Sequence, residues 1–150
     1  MYKRLLVPVD GSKPSMLGLA EAIELAKSEG SHLHLVHVVD EVVPFGMEIP
    51  DRYIEQFIDA VRAQGREVLA KAERVVREHA LESQGVLLET IGRRAADVIV
   101  EQAKQCKADL IVMGTHGRRG LRRLALGSDA ELVVRSSPVP VLLVRGPAEQ

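Results

Sequence analysis

The chain has 150 residues, 46% of them hydrophobic, which suffices for one globular domain over 1–150. Its 20 basic and 21 acidic residues give a net charge of -1, so composition indicates neither a nucleic-acid binder nor a membrane-surface protein. The single cysteine, Cys106, excludes an internal disulfide framework. Without a signal-peptide pattern or an apolar run of membrane-spanning length, we expect a cytoplasmic protein.

Short apolar runs alternate with segments of helical periodicity along the chain. The runs of strand length are Leu5–Val9, Leu33–Val39, Val86–Ile91, Leu110–Met113 and Val139–Val144. The first and fourth are nearly continuous in Leu, Ile and Val, which is typical of strands covered on both faces. This alternation predicts an α/β fold with a mostly parallel sheet, central first and fourth strands, and helices on both faces.

Four segments between these runs have the spacing of amphipathic helices. They are Ser12 to Gly30, about Asp51 to about Glu82, about Ala95 to Lys107, and about Ser128 to Ser136. Gly65 lies inside the second helix and weakens its middle turn. The segment Asp40 to Pro50 contains two prolines and a glycine, and we expect a long loop that folds over another part of the molecule.

The stretch GTHGRRGLRRLALGSDAE, from Gly114 to Glu131, follows a predicted buried strand and enters a predicted helix. In one interpretation its glycines let backbone N–H groups approach a phosphate, to which the helix amino terminus adds further donors. In the other, the glycines only make a turn, and Ser128 and Glu131 form a capping box. Both interpretations remain open on the local pattern.

Asp10 ends the first central strand, as Gly114 ends the fourth. In doubly wound sheets, ligands bind beyond the carboxyl ends of the strands, where the winding direction reverses. Asp10 is therefore a candidate site residue. Its alternative role is that of a turn residue before Gly11 and Ser12.

The spacing of the glycines identifies a resemblance. Gly114-x-x-Gly117, nine residues, and then Gly127-Ser128 resemble the nucleotide-binding pattern of the universal stress protein family. The similarity also includes VPVDGS, LVHVVD, ADLIVMGTHG and SSPVPVLLVR, and so spans essentially the whole chain. It implies a five-stranded parallel sheet in the order 3-2-1-4-5, Rossmann-like and similar to the adenine nucleotide alpha hydrolases, that binds ATP, ADP or AMP.

By position, the resemblance assigns the adenosine half of the ligand to the first two strands. Asp10 would lie beside the ribose, with Pro8 and Val9 as the adjacent wall. The backbone of Val38 would recognise adenine. A strand-end backbone is suited to this role because it offers hydrogen bonds without a charged side chain.

The same resemblance assigns the ribose and phosphate path to the fourth strand and the glycine-rich stretch. The positions implied are Met113, Gly114, Gly117, Gly127 and Ser128. Gly117 would bind phosphate through its backbone, and Gly127 with Ser128 would hold phosphates at the amino terminus of the last helix.

Three side chains beside this path add charge or hydrogen-bonding capacity. His116 is a candidate phosphate donor or a solvated loop residue, and Arg118, which adjoins Gly117, is the arginine we expect to reach phosphate. Asp129 departs from the family pattern, in which a small or apolar residue commonly follows the Gly-Ser pair. Its carboxylate suits a helix amino terminus but repels phosphate, so it either faces away or helps to hold Mg²⁺.

No residue of the chain is assigned a catalytic role. We interpret His37 as a hydrogen-bonded strand histidine, Cys106 as a packing residue, and His32 and His34 as lying at the wrong end of their strand for the site. The preferred hypothesis is an adenine-nucleotide-binding stress-response module. The alternatives are a slow Mg²⁺-dependent ATP hydrolase or phosphotransferase, and an interaction protein whose cleft is empty.

The last apolar run, Val139–Val144, would lie at a sheet edge in the implied strand order. An exposed apolar edge invites pairing with another copy, and the resemblance also implies dimers formed through this strand. We therefore predict a homodimer with the two final strands side by side.

Overall fold

A computed structural model describes residues 1–40, 48–115 and 126–146. Its five strands form one parallel sheet in the order β3-β2-β1-β4-β5, which confirms the predicted strand order. The strands are β1 (Arg4–Pro8), β2 (His32–Asp40), β3 (Ser83–Thr90), β4 (Leu110–Gly114) and β5 (Val141–Val144). The helices are α1 (Lys13–Glu29), α2 (Asp51–Glu78), α3 (Ala95–Gln105) and α4 (Ser128–Ser136).

The sheet separates two apolar layers. One layer joins residues of α1 and α2 to side chains such as Leu5, Val7 and Leu35. The other joins residues of α3 and α4 to side chains such as Leu6 and Val36. Because neighbouring residues of a strand point to opposite faces, β1 and β2 contribute to both layers. Helices therefore cover both faces, as predicted.

Helix α1 begins and ends with the signals expected from its sequence. The Ser12 side chain accepts a hydrogen bond from the Ser15 N–H at 3.3 Å, and Pro14 lies in the first turn. Gly30 ends the helix in the left-handed conformation, with φ of 67°. The first of these ends fixes the path from β1 into α1, and the second fixes the path from α1 into β2.

Helix α2 is continuous through Gly65, so the glycine does not interrupt it. A Cβ atom at Gly65 would lie 2.7 Å from Leu87 Cδ1, 2.9 Å from Val39 Cγ2 and 3.0 Å from His37 Cδ2. The absence of a side chain at Gly65 therefore lets α2 pack directly against side chains of β2 and β3.

The predicted carboxyl end of α2, near Glu82, is wrong by one turn, because the helix ends at Glu78. Leu81 N–H donates to Val76 O and Ala80 N–H donates to Arg77 O, the two hydrogen bonds of a Schellman motif. Ala80 has φ of 58°, a conformation that usually calls for glycine. No glycine marks this end, so the sequence pattern could not locate it.

Candidate functional site

The carboxyl ends of β1 and β4 lie side by side at the point where the strand order reverses. The register pairs Leu5 with Leu110 and Leu6 with Ile111, which brings Val9 level with Gly114. Pro8 is the last residue of β1 and is half-buried, whereas Val9 is only 3% exposed. This edge is where ligands bind in sheets of this topology.

Asp10 leaves β1 in a tight turn that enters α1. Its carboxylate Oδ1 accepts the Ser12 N–H at 2.8 Å, which is the turn geometry expected of an aspartate in this position. Its own N–H donates to the Ser15 hydroxyl at 3.0 Å. Ser15 is 5% exposed, so a buried hydroxyl fixes the backbone that carries the carboxylate.

Sequence reasoning missed Ser15. A signal for it was present in the sequence. Ser12 follows an aspartate and suits the helix N-cap, and Ser15, three residues later, lies at a position that can face the core. The consequence is that Asp10, Ser12 and Ser15 form one connected unit.

At the end of β4, Met113 is 7% exposed and Gly114 is buried. A Cβ atom at Gly114 would meet the carbonyl group of Pro14, with the carbonyl carbon 2.6 Å away. A Cβ atom at Gly18 would in turn lie 3.0 Å from the Gly114 nitrogen. Gly114 is thus required for the close packing of α1 on β4, a reason that the sequence pattern did not indicate.

Thr115 connects the end of β4 to both neighbouring elements. Its N–H donates to Val144 O in β5 at 3.1 Å, and its carbonyl accepts the Gly127 N–H at 2.8 Å. These bonds bring the start of α4 to the end of β4. They also occupy the Gly127 N–H, so any backbone donor for an anion at this point must come from the residues after it.

Helix α4 begins at Ser128, with Gly127 as its N-cap. The capping-box interpretation is wrong: among the described residues no side chain caps this helix, Ser128 is its first residue, and Glu131 forms an ion pair with Arg135 at 2.8 Å. Helix geometry leaves the N–H groups of Ser128, Asp129 and Ala130 without an intrahelical acceptor. Ser128 and Asp129 are exposed residues.

Val38 lies in β2 near its carboxyl end, with a half-buried side chain packed against the α3 and α4 layer. Strand β1 ends at Pro8, which pairs with Val36, whereas β2 continues to Asp40. The backbone of Val38 therefore lies beyond the last paired residue of β1.

Three predicted site residues, His116, Gly117 and Arg118, fall outside the described residues. So does most of the predicted loop between Asp40 and Pro50. The remaining candidates lie at the carboxyl edge of β1, β2 and β4 or at the amino terminus of α4.

His37 has the predicted character of a hydrogen-bonded strand histidine. It is 9% exposed, and its Nδ1 lies 2.7 Å from Val9 O. His32 and His34 lie at the amino end of β2, away from the carboxyl edge, as predicted. The half-buried Cys106 packs against the second apolar layer, and burial raises the pKa of its thiol, which suits a packing residue.

Two shallow hollows, of about 420 and 330 Å³, lie along α3 and share Arg93 and Glu101. Neither is lined by any of the predicted site residues. Within the described ranges, no group of three or more His, Cys, Asp or Glu residues is placed to hold a metal ion. No helix in those ranges is long and apolar enough to cross a membrane.

Comparison with known proteins gives one consistent result. A profile of the universal stress protein family matches residues 1–145. A universal stress protein of Methanocaldococcus jannaschii is 36% identical over 150 residues, which are 100% of this chain and 86% of that protein.

Solved structures agree. Universal stress protein UspA from Lactobacillus plantarum has a TM-score of 0.83 at 27% identity, covering 96% of this chain and 98% of that one. The Archaeoglobus fulgidus universal stress protein in complex with dAMP has a TM-score of 0.66 at 28% identity, covering 95% and 97%.

Proposed function

We propose that this chain, which belongs to the universal stress protein family, binds an adenine nucleotide at the carboxyl edge of its sheet. ATP is the ligand that the glycine pattern favours, with ADP and AMP as related ligands. In this proposal the bound nucleotide makes the protein a ligand-responsive stress-response module. The relative solved with dAMP supports the choice of an adenine nucleotide.

The observation that carries the proposal is the meeting of three elements at the strand reversal. The Asp10 turn, the end of β4 at Gly114 and the amino terminus of α4 all adjoin the same edge of the sheet. In the proposed complex, Pro8 and Val9 line the ribose side, beside the Asp10 carboxylate. The backbone of Val38 lies one strand away, on the side proposed for adenine.

The phosphate side rests on α4. Its first N–H groups, at Ser128 and Asp129, have no intrahelical acceptor and lie at the positive end of the helix dipole. The exposed carboxylate of Asp129 lowers the local potential, which favours a nucleotide whose phosphate charge is balanced by Mg²⁺. In the proposal Met113, His116, Gly117 and Arg118 complete the phosphate path, and Gly127 lies beside it as the N-cap of α4, with its N–H already bonded to Thr115.

Charge changes in the first turn of α4 test this proposal. Ser128→Asp adds a carboxylate that suits a helix amino terminus but repels phosphate, so the fold is retained while ATP affinity falls about tenfold or more. Asp129→Asn removes a carboxylate and is expected to raise ATP affinity in the absence of Mg²⁺. The measurement is calorimetric titration with ATP and AMP, and the effects should be larger for ATP.

Ser128→Asn is the matched control, because it has the size of the aspartate without its charge. It should bind ATP within about threefold of the unmodified chain. Equal ATP affinity in Ser128→Asp and Ser128→Asn would show that no phosphate lies at the α4 terminus.

We also propose that two copies pair through Val139–Val144. Ile111 N–H donates to Pro140 O, and Thr115 N–H donates to Val144 O. The even-numbered residues of β5 therefore direct their backbone N–H and C=O groups towards β4. The N–H groups of Val141 and Leu143 therefore point away from β4, towards the edge of the sheet. They are the donors that a second copy of β5 would use.

A further inference from the structure

The backbone ladder between β1 and β2 stops before β2 ends. Val9 N–H donates to Val36 O at 2.8 Å, beyond the last residue pair, Pro8 with Val36. In a parallel ladder, alternate residues of a strand face the same neighbour, so Val38, like Val36, directs its N–H and C=O to the β1 side. The next bond of a continued ladder would join Val38 N–H to Val9 O.

That bond is replaced by a side-chain bond. Val9 O accepts from His37 Nδ1 at 2.7 Å. A carbonyl oxygen can only accept, so Nδ1 carries the proton and His37 is the donor. No described residue accepts the Val38 N–H on the β1 side. The histidine thus binds the same carbonyl that a continued ladder would pair with Val38.

The position of His37 is fixed by its surroundings. It alternates with Val36 and Val38 along β2, so its ring lies on the opposite face of the sheet, beneath α2. A Cβ atom at Gly65 of that helix would lie 3.0 Å from His37 Cδ2. The absence of a side chain at Gly65 leaves room for the imidazole, which is enclosed and aimed at Val9.

We propose that His37 is a positioning residue for adenine selectivity, an inference that rests on the proposed nucleotide binding. By holding the Val9 carbonyl, His37 keeps the N–H and C=O of Val38 open to the base. Adenine carries a ring-nitrogen acceptor next to its N6 amino donor, which complements an adjacent N–H and C=O. Guanine has the O6 acceptor in place of the amino group and fits this pair poorly.

Two substitutions separate the donor from the rest of the side chain. Asn places an amide nitrogen where His37 has Nδ1, so His37→Asn keeps the donor. His37→Leu fills the enclosed space without one. His34→Leu, at the other end of β2, is the control for losing a histidine from this strand. Should His37→Leu not fold, His37→Gln replaces it. The amide of glutamine lies one bond further from the backbone than Nδ1 of His37, so it does not place a donor at the Nδ1 position.

The first measurement is hydrogen exchange of the Val38 amide in the nucleotide-free protein. In the unmodified chain and in His37→Asn the amide should exchange quickly. In His37→Leu the freed Val9 carbonyl accepts the Val38 N–H, and exchange should slow by about tenfold or more. The same Val38 exchange rate in all variants would overturn the proposal.

The second measurement is the ratio of ATP to GTP affinity. It should fall about tenfold in His37→Leu, the size of one lost hydrogen-bonding pair, and stay within about threefold in His37→Asn and His34→Leu. An unchanged ratio in folded His37→Leu would overturn the proposal. If the unmodified chain binds no nucleotide, the proposed function fails, and the exchange rates alone decide whether His37 keeps Val38 open.

Discussion

At the scale of single residues, two strand glycines differ in how well they could accommodate a side chain. Gly114 has no space for a Cβ atom, because the backbone of Pro14 in α1 lies against it. At Gly85 in β3 the three atoms nearest to the position of a Cβ atom belong to the flexible Glu73 side chain, with Oε1 at 2.5 Å. The first contact is with backbone and cannot relax locally, whereas the second can.

This difference predicts the effect of adding one methyl group. Gly114→Ala should lower the free energy of unfolding by about 2 to 3 kcal/mol, the cost of overpacking against backbone. Gly85→Ala is the control and should change it by less than about 1 kcal/mol, since Glu73 can rotate away. Urea denaturation measures both values, and equal effects would contradict the packing role of Gly114.

His34 predicts a dependence of stability on pH. Burial, followed by the nearby charges of Arg4 and His32, lowers the pKa of His34 from its ordinary 6.5. The unfolded chain therefore binds the proton more readily, and the His34 contribution is lost as pH falls below 6.5 towards the lowered pKa. Between pH 7.5 and 5 the free energy of unfolding should therefore fall less for His34→Gln than for the unmodified chain. The same dependence on pH in both proteins would contradict this.

The sequence located the carboxyl ends of the central strands, but it did not reveal the contacts that hold them in place. The turn at Asp10 after β1 and the end of β4 at Gly114 follow from apolar runs and turn residues. The burial of Ser15 beneath Asp10 and the bond from His37 to Val9 depend on contacts between separate elements. Such contacts leave little trace in local spacing.

At the scale of elements, the helix ends show where local signals were missing. Helix α1 is followed by Gly30 in the left-handed conformation, and the sequence located its end well. Helix α2 ends at Glu78 and is followed by Ala80, which has the same left-handed conformation without being a glycine. The last strand begins at Val141 rather than Val139. Val139 lies before the strand and is held by Ser137, whose hydroxyl accepts from the Val139 N–H and donates to the Val139 carbonyl.

The end of α2 gives a stabilising prediction. Ala80→Gly removes the strain of a left-handed alanine, and part of this gain is offset by the greater freedom of glycine in the unfolded chain. The net effect should be a rise in the free energy of unfolding of about 0.5 to 1 kcal/mol. Ala70→Gly, exposed inside the same helix, is the control and should lower it by about 1 kcal/mol. Thermal or urea unfolding distinguishes them, and a loss of stability in Ala80→Gly would be the contrary result.

At the scale of the whole molecule, the strand order follows from the family resemblance, because apolar runs alone do not specify which strands are neighbours. The same order leaves β5 at one edge of the sheet. Its outward N–H groups, at Val141 and Leu143, make the proposed pairing of two copies a specific geometric claim.

A proline at an outward position tests that pairing. Leu143→Pro removes an N–H that points away from β4, so the fold is kept while pairing between copies is weakened. Leu143→Ala loses the same side-chain packing but keeps the N–H, and it should remain dimeric. Light scattering at micromolar concentration gives the mass, and a monomeric unmodified chain would contradict the proposed dimer.

The central claim is that this chain binds an adenine nucleotide at the strand reversal. Its most direct test is calorimetric titration of nucleotide-free protein with ATP, ADP, AMP and GTP, with and without Mg²⁺. We expect one adenine nucleotide per chain, bound more tightly than GTP, with Mg²⁺ favouring ATP. No binding of any adenine nucleotide, or equal binding of ATP and GTP, would contradict the claim.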